Sequence, residues 1–519
     1  MSHPMPASAD PDAVSFSDEP APRDRLLSGT FVGLLLTQFL GTTNDNILRW
    51  LVIGIGKEYF EKNHSLVLAI GSGCFVLPYI LLAAPAGYLA DRFSKRSVIV
   101  LCKVAEILIM ATAVAAILIG NAHLLFAVVA LAGAQAALFG PAKLGSIPEM
   151  LRSNKISSAN GMIGLTTVIA TVVGVTVGNW LSSENVTGPF GQEGWWLIAV
   201  VLVGLAIAGW LTSMLILRLP AANPARLFPY NLYGQTISDL KILFAGKGMR
   251  RVALGIMFFW SLGMMAHLNI DQFASEGGAS QPQVSPLLAA LVVGVGLGSV
   301  LAGIWSNGKV ELGILPLGAG GLVLFSLLLY SVEGVLVDPD HAYTLSYVAA
   351  CLFLVMLGVS SGLFDVPLAA YMQHYSATEH RGSILAASNF LTFSGMLAAS
   401  LGYYLLRAPT EGGDPLLSAR QVFLVCGFAT LPVFIYILVL IPQATIKFLA
   451  WLVTHSIYRI RLYQREYLPE EGGAVLTPNH VSWLDGLLLI TTSSRPVRML
   501  ITNELITNWW TRGLARIMG

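Results

Sequence analysis

Apolar residues in this chain come in long unbroken runs, without the alternation of a strand or the narrow stripe of a surface helix. A run of about 18 or more apolar residues can cross the hydrocarbon of a bilayer as a helix. Twelve runs are predicted, over residues 29–56, 66–90, 97–120, 123–141, 160–183, 195–218, 251–272, 285–306, 313–333, 343–373, 383–407 and 420–442. The connection from Arg218 to Arg251 is longer and more polar, and it carries Pro220, Pro224 and Pro229. It divides the runs six and six. The expected fold class is an all-α membrane protein of twelve spans. Its halves are 29–218 and 251–442, its linker is 219–250, and a tail, 1–28, precedes it.

The pattern changes after Pro442. Residues 443–463 are apolar but studded with Lys447, His455, Arg459 and Arg461, as in an amphipathic helix lying on a membrane surface. Further on, Ala474-Val475-Leu476 reads as a short strand, followed by a Thr477-Pro478-Asn479 turn and an apolar helix. Residues 464–519 are therefore predicted to open a soluble α/β domain.

Composition narrows the function classes. The chain has 519 residues, 55% hydrophobic and 11% charged, where soluble proteins are about 25% charged. With 30 Lys+Arg against 29 Asp+Glu there is no net field to attract nucleic acid. The cations are unevenly placed. One set of connections holds Arg92, Lys95, Arg96, Lys143, Arg152, Lys155, Arg218, Arg226, Lys241, Lys247, Arg250, Arg251, Lys309 and Arg381, and the other only Lys57, Lys62, Arg407 and Arg420. Positive loops stay inside, which places both termini in the cytoplasm. The four cysteines lie in apolar runs without metal-ligand spacing, so no metal site is expected.

Polar residues inside spans mark candidate chemistry, because such groups are costly in lipid and usually face a cavity. Span one holds Asn44, Asp45 and Asn46. Asp365 and Gln373 lie in span ten, His267 lies in span seven, and Lys143 follows span four by two residues. Lys103 and Glu106, three apart, can pair on one helix face. Asp45, Asn46 and Gln373 could line a polar lane, with Asp45 meeting an ammonium group; a coupling-proton site would have the same composition.

The loop Gly87-Tyr-Leu-Ala-Asp91-Arg92-Phe-Ser-Lys95-Arg96 resembles the signature of the major facilitator superfamily, with Ser94 where Gly is usual. The resemblance implies two repeated six-helix halves and gives Gly87, Asp91, Arg92, Lys95 and Arg96 a gating role. Gly298 to Lys309 is a degenerate echo of the motif after span eight. The runs QFLGTTNDN, GSVLAGIWSNGKVELGILPLGA and LFDVPLAAYMQHYSATEHRGSILAASNFLT together resemble the bacterial lysophospholipid transporter family, in its form fused to an acyltransferase. Asp365 and Arg49-Trp50 depart from that family's pattern. The resemblance implies movement of lysophospholipids across the inner membrane to the cytoplasmic leaflet, followed by reacylation.

The string Thr477-Pro-Asn-His480-Val-Ser-Trp-Leu-Asp485 resembles the first block of glycerolipid acyltransferases. There, His480 would be the general base on the acceptor hydroxyl and Asp485 would orient its imidazole. The implied acyl donor is acyl carrier protein or coenzyme A as a thioester, with no bound cofactor. The later blocks, an arginine and a Glu-Gly-Thr, are absent before Gly519, so the domain is expected to be incomplete. The alternative reading is a proton-coupled drug or solute exporter of the same superfamily with an inert acyltransferase remnant.

Overall fold

The computed structural model describes residues 26–59, 64–188, 192–279, 281–306, 310–338, 342–408, 415–461, 463, 472–479, 482–493 and 497–498. Most of the N-terminal tail, the end of the Gly298–Lys309 segment, His480 and residues 499–519 lie outside the described residues. The helices are α1 (Gly29–Tyr59), α2 (His64–Leu81), α3 (Ala83–Arg92), α4 (Lys95–Ile119), α5 (Ala122–Met150), α6 (Ile156–Leu181), the one-turn α7 (Glu184–Thr187), α8 (Trp195–Ser213), α9 (Leu232–Ala245), α10 (Lys247–Glu276), α11 (Gln281–Trp305), α12 (Leu315–Tyr330), α13 (Leu345–Tyr375), α14 (Arg381–Leu406), α15 (Ala419–Leu440), α16 (Pro442–Ile457) and α17 (Trp483–Thr492).

Ten of these are long and apolar enough to cross a membrane, or eleven if the pair α2 and α3, bent by 59°, is one span. Pro85 explains the bend: it lacks the N–H that would bond to the carbonyl of Leu81, and proline kinks a helix there. The first predicted span, α1, is 31 residues long but is not among the ten, because the polar stretch from Gln38 to Arg49 interrupts its apolar run. Tight turns separate neighbouring helices. Gly120 ends α4 at φ 71°, and the Asn121 side chain then accepts from the Leu124 N–H to start α5.

Helices α1 to α8 form one half and α10 to α15 the other, each around its own apolar core. The halves meet where α6 packs on α11 and α3 on α14. Small residues allow this contact. A Cβ at Gly161 would lie 2.5 Å from the Ser299 carbonyl, and one at Gly87 would lie 2.9 Å from Ser383 Cα. Between the halves runs α9.

After α15, α16 packs against the turn Leu312–Ile314, burying Phe448 with Ile314, Leu363 and Val366. Lys447 Nζ on α16 donates to the Ser493 carbonyl at 2.9 Å, just beyond α17. The strand expected at Ala474-Val475-Leu476 does not form; those residues are exposed and irregular. A strand needs a neighbour to take up its backbone hydrogen bonds, and among the described residues β pairing is confined to an isolated bridge, Val337 with Tyr343.

Candidate functional site

The end of the bundle that carries the basic loops is closed by a lock built on Asp91. This residue ends the amphipathic α3 and is fully buried. Its carboxylate faces the first turn of α14, whose unpaired N–H groups attract an anion. Oδ1 accepts from the Gly382 N–H at 2.7 Å, and Oδ2 accepts from the Ser383 N–H at 3.1 Å and the Ser383 hydroxyl at 2.8 Å. Arg226 of the inter-half linker donates to the same Oδ2 at 2.6 Å and also to Ser383 Oγ. Its other terminal nitrogen lies 3.6 Å from Asp239 on α9; burial pushes that carboxyl up from its ordinary range. Thus both halves and the linker converge on one carboxylate.

Around the lock, Lys95 pairs with Glu149, which Arg381 approaches at 3.7 Å. Arg96 donates to the Met214 carbonyl at 3.3 Å. Arg92 is half-buried at the end of α3. A second tie joins the halves: Gln373 and Asn160 exchange both amide hydrogen bonds, at 2.8 and 2.9 Å, and Gln373 is 1% exposed.

Deeper in the bundle, a polar cluster surrounds Asp45. It lies in the part of α1 where the sequence could not sustain an apolar face. Asn44 donates to Glu106 Oε1 at 3.2 Å and to the Leu202 carbonyl at 3.1 Å. Lys103 and Glu106 form the pair that their spacing predicts, at 2.5 Å and almost fully buried. Asn46 accepts from Arg49 at 2.9 Å, and Lys143 donates to Gln38 at 3.0 Å. The cations also lie over aromatic faces: Arg49 over Phe75, and both Lys103 and Lys143 over Phe139. Such placement stabilises a charge removed from water.

Asp45 itself is half-buried, with Oδ1 buried and without a hydrogen-bond partner. Glu106, Lys103, Arg49 and Lys143 all act on it electrostatically. The charges of this cluster are therefore three cations, Arg49, Lys103 and Lys143, and two carboxylates, Asp45 and Glu106. The arrangement can hold an anionic group against Arg49 and Lys143, whose positions are fixed by Asn46 and Gln38.

The other half faces it with different chemistry. His267 is exposed although it lies in the middle of α10, and it is within electrostatic reach of Arg49; the two therefore share an open chamber. Tyr79 of the first half stacks on Phe393 of α14, with ring centroids 3.9 Å apart. Asp365 of α13 lies beside the Trp260 indole of α10.

The structure thus gathers Asn44, Asp45 and Asn46 into one cluster, sets Asp365 in the opposite half, and places Gln373 in the buried tie with Asn160. Asp485 sits in the first turn of α17, where Oδ2 accepts from the Ser482 N–H at 2.7 Å, while its expected partner His480 lies outside the described residues. Among the described residues no group of three or more His, Cys, Asp or Glu could hold a metal. Sequence reasoning missed Ser383 and Asn160, and it read Arg226 only as a loop charge. The first two carry no periodicity signal, but an arginine eight residues past a span, between two prolines, was visible.

Two helical halves, a closed lock at one end and a polar chamber between them define a membrane transporter of the alternating-access kind. The model of the Major Facilitator Superfamily matches residues 29–400, and the chain belongs to that superfamily. The Acyltransferase family model matches residues 459–519. Among curated relatives, a lysophospholipid transporter of Pectobacterium carotovorum is 28% identical over 75% of this chain and 89% of its own length. One of Photorhabdus laumondii is 29% identical over 67% and 81%. Among solved structures, the human organic anion transporter MFSD10 superposes with a TM-score of 0.63, covering 79% of this chain and 99% of its own, at 14% identity. FucP in its outward conformation gives 0.62, covering 78% and 97%, also at 14% identity. These two share the fold.

Proposed function

We propose that this protein moves lysophospholipids across the bacterial inner membrane to the cytoplasmic leaflet, where the acyltransferase segment restores the missing chain. The observation that carries the reading is the Asp45 cluster. A half-buried carboxylate among three cations, inside an apolar bundle, suits a phosphate ester with a lipid tail. The phosphate would sit against Arg49 and Lys143. This differs from an ammonium bound at Asp45, because Asp45 is already surrounded by cations. The curated relatives named as lysophospholipid transporters support the substrate class and weigh against the exporter reading.

In this reading the lock faces the cytoplasm, following the basic loops, and both termini lie on that side. The present state is open to the opposite side. Gly87, Asp91, Arg92, Lys95 and Arg96 form the gate. His480 acts as general base and Asp485 orients it. Ser482 and Asp485 already form the helix-starting turn that such a dyad needs. The acyl donor is an acyl carrier protein or coenzyme A thioester.

Reconstituted vesicles test the reading. The Asp45→Ala variant should fold, run as the parent on gel filtration, and lose lysophospholipid uptake; normal uptake would sink the assignment. In the same assay His480→Ala should keep uptake and lose reacylation, and retained acyl transfer would remove the general-base role.

A further inference from the structure

The chamber wall contributed by the second half has a chemistry that the phosphate site does not use. Along α10, Trp260, Gly263, His267 and Asp271 are spaced three, four and four residues apart, so they share one helix face. Trp260, Gly263 and His267 on that face are exposed, while the adjoining flank of the helix, with Phe259, Leu262 and Ala266, is buried. A Cβ added at Gly263 would meet nothing within 4 Å. The face therefore fronts open space, and its His and Asp indicate that this space is the chamber, not lipid.

On it, Trp260 lies beside the Asp365 carboxylate of α13. Trp260 keeps 43% of its surface exposed. Phe259 meets the Trp260 ring edge-on, with centroids 5.6 Å apart, and Phe259 and Phe364 lie 5.8 Å apart, so both residues rest on a packed aromatic floor. No cation forms an ion pair with Asp365 among the described residues.

A carboxylate fixed beside an open indole face is the chemistry that holds an organic ammonium, by charge and by the negative face of the ring. Depth fits as well. At about 1.5 Å per residue, Asp365, Trp260, Lys143 and Asp45 all lie roughly 10 to 24 Å along their helices from the basic end. We infer that Trp260 and Asp365 form an ammonium site in the second half, opposite the phosphate site, so that a zwitterionic headgroup spans the two halves. This rests on the lysophospholipid reading for its physiological ligand, but the site itself does not. Ethanolamine and choline headgroups share the chemistry, and a glycerol headgroup lacks it.

The experiment separates the two. In a background with the four cysteines replaced by alanine, Gly263→Cys is labelled with a water-soluble maleimide. Tetramethylammonium chloride should slow labelling at least threefold where sodium chloride does not, and Asp365→Asn should remove that protection while Trp260→Phe keeps most of it. Vesicle uptake then compares headgroups. Asp365→Asn should lower uptake of lysophosphatidylethanolamine and lysophosphatidylcholine about tenfold, and of lysophosphatidylglycerol less than twofold. Absent protection by tetramethylammonium, or equal losses for all three lipids, overturns the site. Protection in a parent protein that takes up none of the lipids upholds the site and overturns the lysophospholipid reading instead.

Discussion

Replacing Asp91 with asparagine should shift the transporter out of its locked state without unfolding either half. The substitution preserves shape and removes charge. The amide oxygen can still accept from the Gly382 N–H. Its NH2 group, however, would face the Ser383 N–H, the Ser383 hydroxyl and Arg226, which now donate to Oδ2 at 3.1, 2.8 and 2.6 Å. Hydrogen bonds to a charged group contribute about 1.5–3 kcal/mol each, and screening is slight because Asp91 is 0% and Arg226 12% exposed. The three donors rehydrate once the halves part, so the net loss from the locked state is about 2–3 kcal/mol rather than the sum. That is roughly 30- to 150-fold in population.

Spin labels read the shift directly. Asn154 and Glu379 are exposed at the basic end of the two halves, and a pair of labels there reports their separation by pulsed dipolar spectroscopy. The parent should give one short distance, and Asp91→Asn should add a longer component that dominates. An unchanged distribution, in a variant with the parent's melting temperature, would refute the view that this carboxylate holds the halves together.

Two further outcomes follow from the buried polar pairs. Gln373→Leu alone should strand the Asn160 amide and cost about 1–3 kcal/mol, lowering the melting temperature, while the double variant with Asn160→Leu should recover part of the loss; equal melting of single and double variants would disprove the reciprocal tie. Lys103→Met should leave Glu106 as an uncompensated buried charge and cost about 3–5 kcal/mol, with partial rescue by Glu106→Gln, and a denaturation series that shows no rescue would mean the two residues act separately.

Much of this protein was legible in the chain itself. Span positions follow from the length of apolar runs, because lipid forces every buried backbone group into a helix. The Lys103–Glu106 pair follows from its spacing, and Gly87 and Asp91 from a motif. The break within the second span is a proline effect that also stands in the sequence.

Other features exist only where distant segments meet. Asp91 reaches Gly382 and Ser383 nearly three hundred residues away, and Gln373 meets Asn160 across the two halves. Gln373 reads as a lane residue by composition, yet the bundle buries it. Arg226 reads as a loop charge until the linker folds back onto the lock. The Trp260 indole and the Asp365 carboxylate sit on different helices of one half, and only the crossing of α10 and α13 brings them together. Hydrophobic patterning fixes which face of a helix is buried, since that depends on residues a turn apart. Which charge a polar residue meets depends on how the helices cross, and that is decided by packing among all of them at once.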